Sequence, residues 1–169
     1  YVKEKPRTLV SHIGTGRHYN INSKSGRLQI LFTDSDQRNN IYNTDIASYY
    51  ENMECIEEMH HPYVVITPDY MVYTADFSKL IEQHIQSEAD ITLLYHAVDN
   101  AKDAYLNCNI LNLNKQKGVL SIEPNHGNAK NRNIFMDTYI MKKDLFIELI
   151  RKAKAISSAF TLADIINEL

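Results

Sequence analysis

Short apolar runs alternate along this chain with stretches of helical period. The apolar run Tyr63–Ile66 is followed by polar residues 67–76, a helix-period segment, and a second apolar run at 91–95. Continuous β-branched runs are typical of strands buried on both faces of a parallel sheet. This stretch therefore predicts a strand, a helix and a second strand, with Asp76 capping the helix.

The same periodicities divide the rest of the chain. Apolar runs predict strands at 28–32 and 134–141, and residues 107–114 with 119–122 predict an antiparallel hairpin at the sheet edge. Helix-period segments predict helices at 3–13 and 44–59 and another capped by Asp144, while Thr161 to Asp164 resembles a capping box. Strands alternating with helices predict an α/β fold with a mainly parallel sheet.

The polar loop at 67–76 is the expected place for a ligand. In open parallel sheets, ligands bind beyond the carboxyl ends of the strands. Asp69, Tyr70 and Asp76 are the candidate residues there. A helix cap is an equally good interpretation of Asp76.

Composition narrows the class of protein. The chain has 169 residues and a net charge of -3, which gives no reason to expect a nucleic-acid partner. No apolar stretch has the length of a membrane span, so we expect a cytoplasmic protein with no membrane partner. Cys55 and Cys108 lack a second thiol at metal-ligand spacing, and free, partly buried thiols are expected.

Two short motifs invite a metal interpretation. Asp34-Ser-Asp36 matches the DxD signature of glycosyltransferases, but Asp and Ser are also common in plain turns, and the turn is preferred. His60 and His61 are adjacent, point in different directions on a helix, and have no third ligand nearby in sequence. A polar turn is the preferred interpretation of the histidines.

Five segments, in order, carry a family resemblance. They are His12-Ile-Gly-Thr-Gly with Tyr19-Asn-Ile, the helix at 44–59, the strand, loop and helix at 63–84, Ala89-Asp-Ile-Thr, and Met136-Asp-Thr-Tyr-Ile-Met-Lys-Lys-Asp-Leu. Together they resemble glucose-1-phosphate adenylyltransferase (ADP-glucose pyrophosphorylase). The resemblance implies a Rossmann-like sugar nucleotidyltransferase fold. Because Tyr1 is not a methionine, we expect residues 1–169 to be a partial nucleotidyltransferase domain, with a strand and glycine-rich loop before Tyr1 and a C-terminal β-helix domain elsewhere.

Departures from the family pattern bear on catalysis. The resemblance implies that an aspartate after the central strand binds Mg²⁺, and a gapless alignment puts Tyr70 there, with Asp69 available only after a one-residue slip. A lysine that meets substrate phosphate is replaced in Ile122-Glu123-Pro124-Asn125. The late acidic metal motif falls near Phe160-Thr161, where there is no carboxylate until Asp164. The resemblance further implies substrate contacts at Tyr70, Asp76, Glu123, Met136 and Asp137. For Glu123, a strand-end carboxylate in water is the plainer interpretation.

The pattern is most similar to the GlgD-type regulatory subunit, which partners a catalytic GlgC-type paralogue in bacterial glycogen biosynthesis. The expected function is therefore a regulatory subunit, oligomeric at full length, that holds a sugar phosphate or nucleotide. A working adenylyltransferase that makes ADP-glucose with Mg²⁺ bound by Asp69 is the first alternative. A stand-alone nucleotide-sugar-binding module or a DxD glycosyltransferase is the second.

Overall fold

The computed structural model describes residues 6–14, 28–32 and 43–169. The helices are α1 (Pro6–Ile13), α2 (Asp45–Glu51), α3 (Met53–Glu57), α4 (Phe77–Ser87), α5 (Lys143–Ile156) and α6 (Leu162–Asn167). The strands are β1 (Tyr63–Ile66), β2 (Ile91–Val98), β3 (Asn109–Leu113), β4 (Val119–Pro124) and β5 (Arg132–Lys142). The α/β class is confirmed. In the part of the chain described, none of the helices combines the length and the apolar character needed to cross a bilayer.

The long strand β5 is the centre of the sheet. It pairs with β1 and β3 along one side and with β2 along the other, and β4 pairs with β3. Every pairing among the described strands is antiparallel, so the expectation of a mainly parallel sheet is not confirmed. The physical reason is that β1 and β2 do run in the same direction, as a strand–helix–strand unit requires, but β5 lies between them in the opposite direction.

The main core lies between the sheet and helices α2, α5 and α6. Phe135, Tyr139 and Met141 alternate along β5 and point to this face, where they are at most 5% exposed. They pack against the buried face of α5, which consists of Phe146, Leu149, Ile150 and Ala153. Truncating a fully buried aromatic such as Phe135 to alanine costs ~3–5 kcal/mol, so this face fixes the position of β5.

Helix α4 covers the other face of the sheet. His84 is 3% exposed, its Nδ1 lies 2.7 Å from the Thr92 hydroxyl on β2, and its ring meets Tyr63 of β1 edge-on. Asp76 caps the helix by accepting a hydrogen bond from the backbone N–H of Lys79 at 3.3 Å. The predicted cap is therefore confirmed, and it fixes where the loop after β1 ends.

Several boundaries differ from the sequence prediction. The helix expected at 44–59 is divided at Asn52, whose φ of -107° and ψ of 24° are not helical. The helix α5 begins after Lys142, and Asp144 lies in its first turn rather than at the cap. Residues 28–32 form no strand beyond an isolated bridge at Phe32. Strand β1 is half-buried throughout rather than buried on both faces.

Other local predictions are confirmed. Residues 109–124 form the antiparallel hairpin at the sheet edge. Thr161 and Asp164 form the capping box of α6, and Thr44 caps α2 through the N–H of Ala47. Both cysteines are free and half-buried. The Asp34-Ser-Asp36 motif lies outside the described residues.

Candidate functional site

The central strand β5 contains a bulge, where its pairing with β2 shifts register. Leu94 of β2 pairs with Thr138 but the next residue, Tyr95, pairs with Phe135, so Met136 and Asp137 have no partner on β2. Asp137 has a φ of 42°, a left-handed backbone that is uncommon outside glycine. Such bulges redirect side chains and are frequent beside binding sites. Met136 and Asp137 consequently line two different cavities.

The Asp137 cavity has a volume of about 300 Å³, near the lower end for small-molecule sites. It lies where the end of β1 meets β5 and the first turns of α2 and α6. Its lining residues are Asp45, Tyr49, Ile66, Thr67, Pro68, Tyr70, Asn109, Asp137, Tyr139, Thr161 and Ala163. Carboxylate, amide, hydroxyl and aromatic groups thus surround one space, and it contains two of the sequence-predicted residues, Tyr70 and Asp137.

Asp45 connects the two helices that border this cavity. Its Oδ1 accepts the backbone N–H of Ile46 at 2.8 Å, and both of its oxygens accept the backbone N–H of Leu162 at 3.2 Å. The start of α6 is therefore tied to the start of α2 by a carboxylate. N–H groups at helix starts lack intrahelical partners, which makes them good donors to such a charge.

Burial and neighbouring charge shift the titration of Asp137 and Tyr139. Burial, followed by the charge of Asp45, raises the pKa of Asp137 from 3.8 to about 6. Burial, followed by the charge of Asp137, raises the pKa of Tyr139 above its ordinary value. Tyr139 therefore keeps its proton at neutral pH. The Asp137 carboxyl likewise keeps its proton to a higher pH than an exposed aspartate does.

The Asp76 cavity lies on the α4 face of the sheet and has a volume of about 410 Å³. Its lining residues are Tyr73, Thr74, Ala75, Asp76, Lys79, Leu80, Gln83, Leu94, His96 and Met136. The Tyr73 hydroxyl lies 2.5 Å from the Thr138 hydroxyl, which in turn donates to the carbonyl of Met136 at 2.9 Å. These contacts hold the end of the 67–76 loop against the bulge.

The structure brings the predicted site residues together only in pairs. Tyr70 and Asp137 share the Asp137 cavity, whereas Asp76 and Met136 share the Asp76 cavity. Asp69 is exposed and lines neither. Glu123 is exposed on β4, where a hydrogen bond from the Ser121 hydroxyl at 2.7 Å lowers the pKa of its carboxyl. The roles of these residues in binding stay predictions.

Sequence reasoning did not find Asp45 or Tyr139. Asp45 directly follows the helix cap Thr44, where an acidic residue is explained by the helix dipole alone, so nothing local marks it as a cavity residue. Tyr139 belongs to the apolar run that predicts β5, so the sequence indicates only a core residue. Its phenol is identified as part of the cavity by its interaction with Asp137, which the folded structure brings about.

Candidate metal ligands among the described residues are the side chains of His, Cys, Asp and Glu. Within 6–14, 28–32 and 43–169 there is no group of three or more His, Cys, Asp or Glu side chains that could hold a metal ion. His60 and His61 are both exposed, in agreement with the turn interpretation. The described part of the chain accordingly provides no complete ligand set around Asp69.

The chain is similar in sequence to known bacterial enzymes. No protein-family profile matches the chain. A glucose-1-phosphate adenylyltransferase of Clostridium perfringens (strain SM101) is 28% identical over 137 residues, which is 80% of this chain and 35% of the relative. The enzyme of the same name in Clostridioides difficile (strain 630) is 23% identical over 151 residues, 89% of this chain and 39% of the relative. The chain is a homologue of the glucose-1-phosphate adenylyltransferases.

This adenylyltransferase homologue also shares its fold with solved structures. HddC from Yersinia pseudotuberculosis, complexed with GMP-PN, superposes with a TM-score of 0.66 at 14% identity, covering 96% of this chain and 60% of HddC. A Bacillus anthracis protein provisionally described as a glucose-1-phosphate thymidylyltransferase, in complex with a sucrose, gives 0.66 at 14% identity, over 95% and 58% of the two chains. The chain has the fold of the sugar nucleotidyltransferases and spans 35–39% of the length of the two clostridial relatives.

Proposed function

We propose that this chain is part of a GlgD-type regulatory subunit that assembles with a catalytic GlgC-type paralogue. The paralogue would make ADP-glucose from ATP and glucose 1-phosphate for bacterial glycogen biosynthesis. The regulatory chain would keep the nucleotidyltransferase fold for assembly and for holding a sugar phosphate or nucleotide. The proposal is supported by the clostridial relatives, which are named glucose-1-phosphate adenylyltransferases.

The observation that carries the regulatory role is the position of Tyr70. This tyrosine stands where a gapless alignment with the family pattern puts the metal-binding aspartate, and it lines the Asp137 cavity, whereas Asp69 is exposed and lines neither cavity. Adenylyl transfer depends on cations that neutralise phosphate charge. A tyrosine in the place of a metal ligand supports a scaffold that does not itself perform the transfer.

A catalytically active adenylyltransferase is the second candidate, and the position of Asp69 favours it. Asp69 lies three residues after the end of β1, on the loop that leads to the Asp76 cap. In that role its carboxylate would be a ligand of Mg²⁺, with substrate phosphates and water completing the shell. This candidate requires Asp69 to be essential for turnover by the protein alone.

The two candidates differ in a mixing experiment. The protein that contains this chain is combined with a catalytic paralogue, complex formation is followed by sedimentation velocity, and ADP-glucose formation is measured for each protein and for the mixture. The regulatory proposal expects a mixed complex whose rate exceeds that of the paralogue alone. No complex and no stimulation would overturn it.

The Asp69→Asn variant is the matched control, because it removes one charge and keeps the size of the side chain. If the chain is regulatory, this variant stimulates the paralogue as the wild type does. If the chain is an enzyme, the variant loses the turnover that the wild type shows by itself. Asp103→Asn, also an exposed aspartate, controls for the loss of one surface charge.

A further inference from the structure

Strand β4 is paired on one side by β3 and lies at the edge of the described sheet. The direction of its backbone groups follows from the ladder. Asn125 donates to the carbonyl of Cys108 at 2.7 Å, in register with the pairs of β3 and β4. Because hydrogen-bonded and non-hydrogen-bonded pairs alternate in an antiparallel ladder, the N–H and C=O of Ile122 point away from β3, toward the open edge.

The side chain of Asn167 occupies that open position. The backbone N–H of Ile122 donates to Asn167 Oδ1 at 2.8 Å, and Asn167 Nδ2 donates to the carbonyl of Ile122 at 2.9 Å. One side-chain amide thus makes both of the hydrogen bonds that a residue on a neighbouring strand would exchange with Ile122. The contact joins residues 45 positions apart, so it depends on where α6 docks.

Buried side chains and hydrogen bonds fix the position of α6 against the rest of the fold. Leu162 and Ile165 are both 0% exposed and belong to the main core. The capping box between Thr161 and Asp164 and the bond from Leu162 N–H to Asp45 fix the start of the helix. Asn167, at the last position of α6, is therefore held at the strand edge by the docking of the whole helix.

We propose that the Asn167 side chain blocks the open edge of β4 and so prevents β4 from pairing with the β4 strand of a second copy of this chain. An open strand edge is a template for another strand, and natural proteins block such edges explicitly. The rest of β4 is poorly protected, because Val119 and Leu120 are 41% and 68% exposed. Pro124 removes one donor at the end of the strand, which leaves Ile122 as its central pairing position.

A second copy is the occupant that the geometry fits. In an antiparallel β4–β4 pair centred on Ile122, the two Ile122 residues would exchange both backbone hydrogen bonds. Such a contact is the same on both partners and closes with two-fold symmetry. The exposed Leu120 side chains would be brought toward the partner strand, so apolar burial would add to the backbone bonds.

The test is the Asn167→Ala variant of the full chain, compared with the wild type by sedimentation velocity over a wide range of concentrations. We expect the variant to associate, as its concentration rises, into a species of twice the wild-type mass that the wild type does not form. At concentrations where the variant keeps the wild-type mass, the amide hydrogen of Ile122 should exchange about tenfold faster, as expected for the loss of one ordinary hydrogen bond. Glu168→Ala, the next residue and also exposed, should change neither quantity.

A second substitution separates edge pairing from general misfolding. Adding Leu120→Lys to Asn167→Ala places a charge on the free edge, which should restore the wild-type mass while circular dichroism stays unchanged. An Asn167→Ala variant that keeps the wild-type mass and unchanged exchange at Ile122 would overturn the proposal, as would an added association that Leu120→Lys does not reverse. In the wild type itself, an Ile122 amide that exchanges as fast as an unstructured peptide would also overturn it.

Discussion

Replacing Asp137 with asparagine removes a titratable charge from the Asp137 cavity and changes little else. Asparagine matches the size of aspartate and also tolerates the left-handed backbone that the φ of 42° requires. The pKa of Asp137 is raised because burial and Asp45 disfavour the charged form. The folded protein therefore holds this proton more tightly than the unfolded chain does.

The sign and size of the effect on stability follow from that difference. Below pH 3.8 the carboxyl is protonated in both states, so wild type and Asp137→Asn should be equally stable. As the pH rises from 3.8 to about 6, the wild type loses stability, because ionisation costs more in the folded state. A shift of this size corresponds to ~3 kcal/mol. Since the carboxyl keeps part of its solvent contact, screening reduces the expected value to about 1–2 kcal/mol.

The assay is urea denaturation of both proteins at a series of pH values, with the carboxyl of Asp137 followed by ¹³C NMR. We expect Asp137→Asn to be more stable than the wild type above pH 6 by about 1–2 kcal/mol. Asp103→Asn is the control, and at an exposed site it should change stability by less than ~0.5 kcal/mol. A difference that does not vary with pH, or a carboxyl that titrates at its ordinary pKa, would refute the reasoning.

Three further changes probe the surroundings of the cavity. Asp45→Asn should move the pKa of Asp137 back toward 3.8, seen in the same NMR titration, and an unchanged pKa would contradict the coupling. Thr161→Ala removes half of the capping box and should lower the free energy of unfolding by ~1 kcal/mol, with Thr161→Ser as the variant that retains the bond. Burial, then Lys142, lowers the pKa of His84 below 6.5, so the wild type should lose stability as the pH falls below 6.5. Denaturation of His84→Gln should lack that loss, and an equal loss in both proteins would be the opposite outcome.

Local sequence signals predicted the individual elements well. The apolar run of β1, the cap at Asp76 and the capping box at Thr161 each depend on residues within a few positions of one another. Such patterns are fixed by the backbone groups they satisfy, whatever the rest of the chain does. The break at Asn52 is an exception, since its side chain donates to the carbonyls of Ser48 and, far away in sequence, Phe32.

The arrangement of these elements in the sheet was harder to predict from the sequence. Period and composition indicated that β1 and β2 run in the same direction, but they contain no information that β5, which follows β2 by more than thirty positions, inserts between them. The meeting of Asp45 with Asp137 depends on the same long-range docking. The positive φ of Asp137 arises from a bulge, and no pattern of residues in the sequence predicts that bulge. The candidate site was therefore predictable as a region, at the loop after β1, and not as a set of contacts.

The proposed regulatory role requires that the protein containing this chain does not transfer adenylyl groups by itself. The most direct measurement is the initial rate of ADP-glucose formation by the purified protein containing this chain, without any paralogue, at saturating ATP, glucose 1-phosphate and Mg²⁺. The account predicts a rate indistinguishable from that of a reaction without protein. Turnover at the ~1–1,000 per second of ordinary enzymes, abolished by Asp69→Asn, would contradict it.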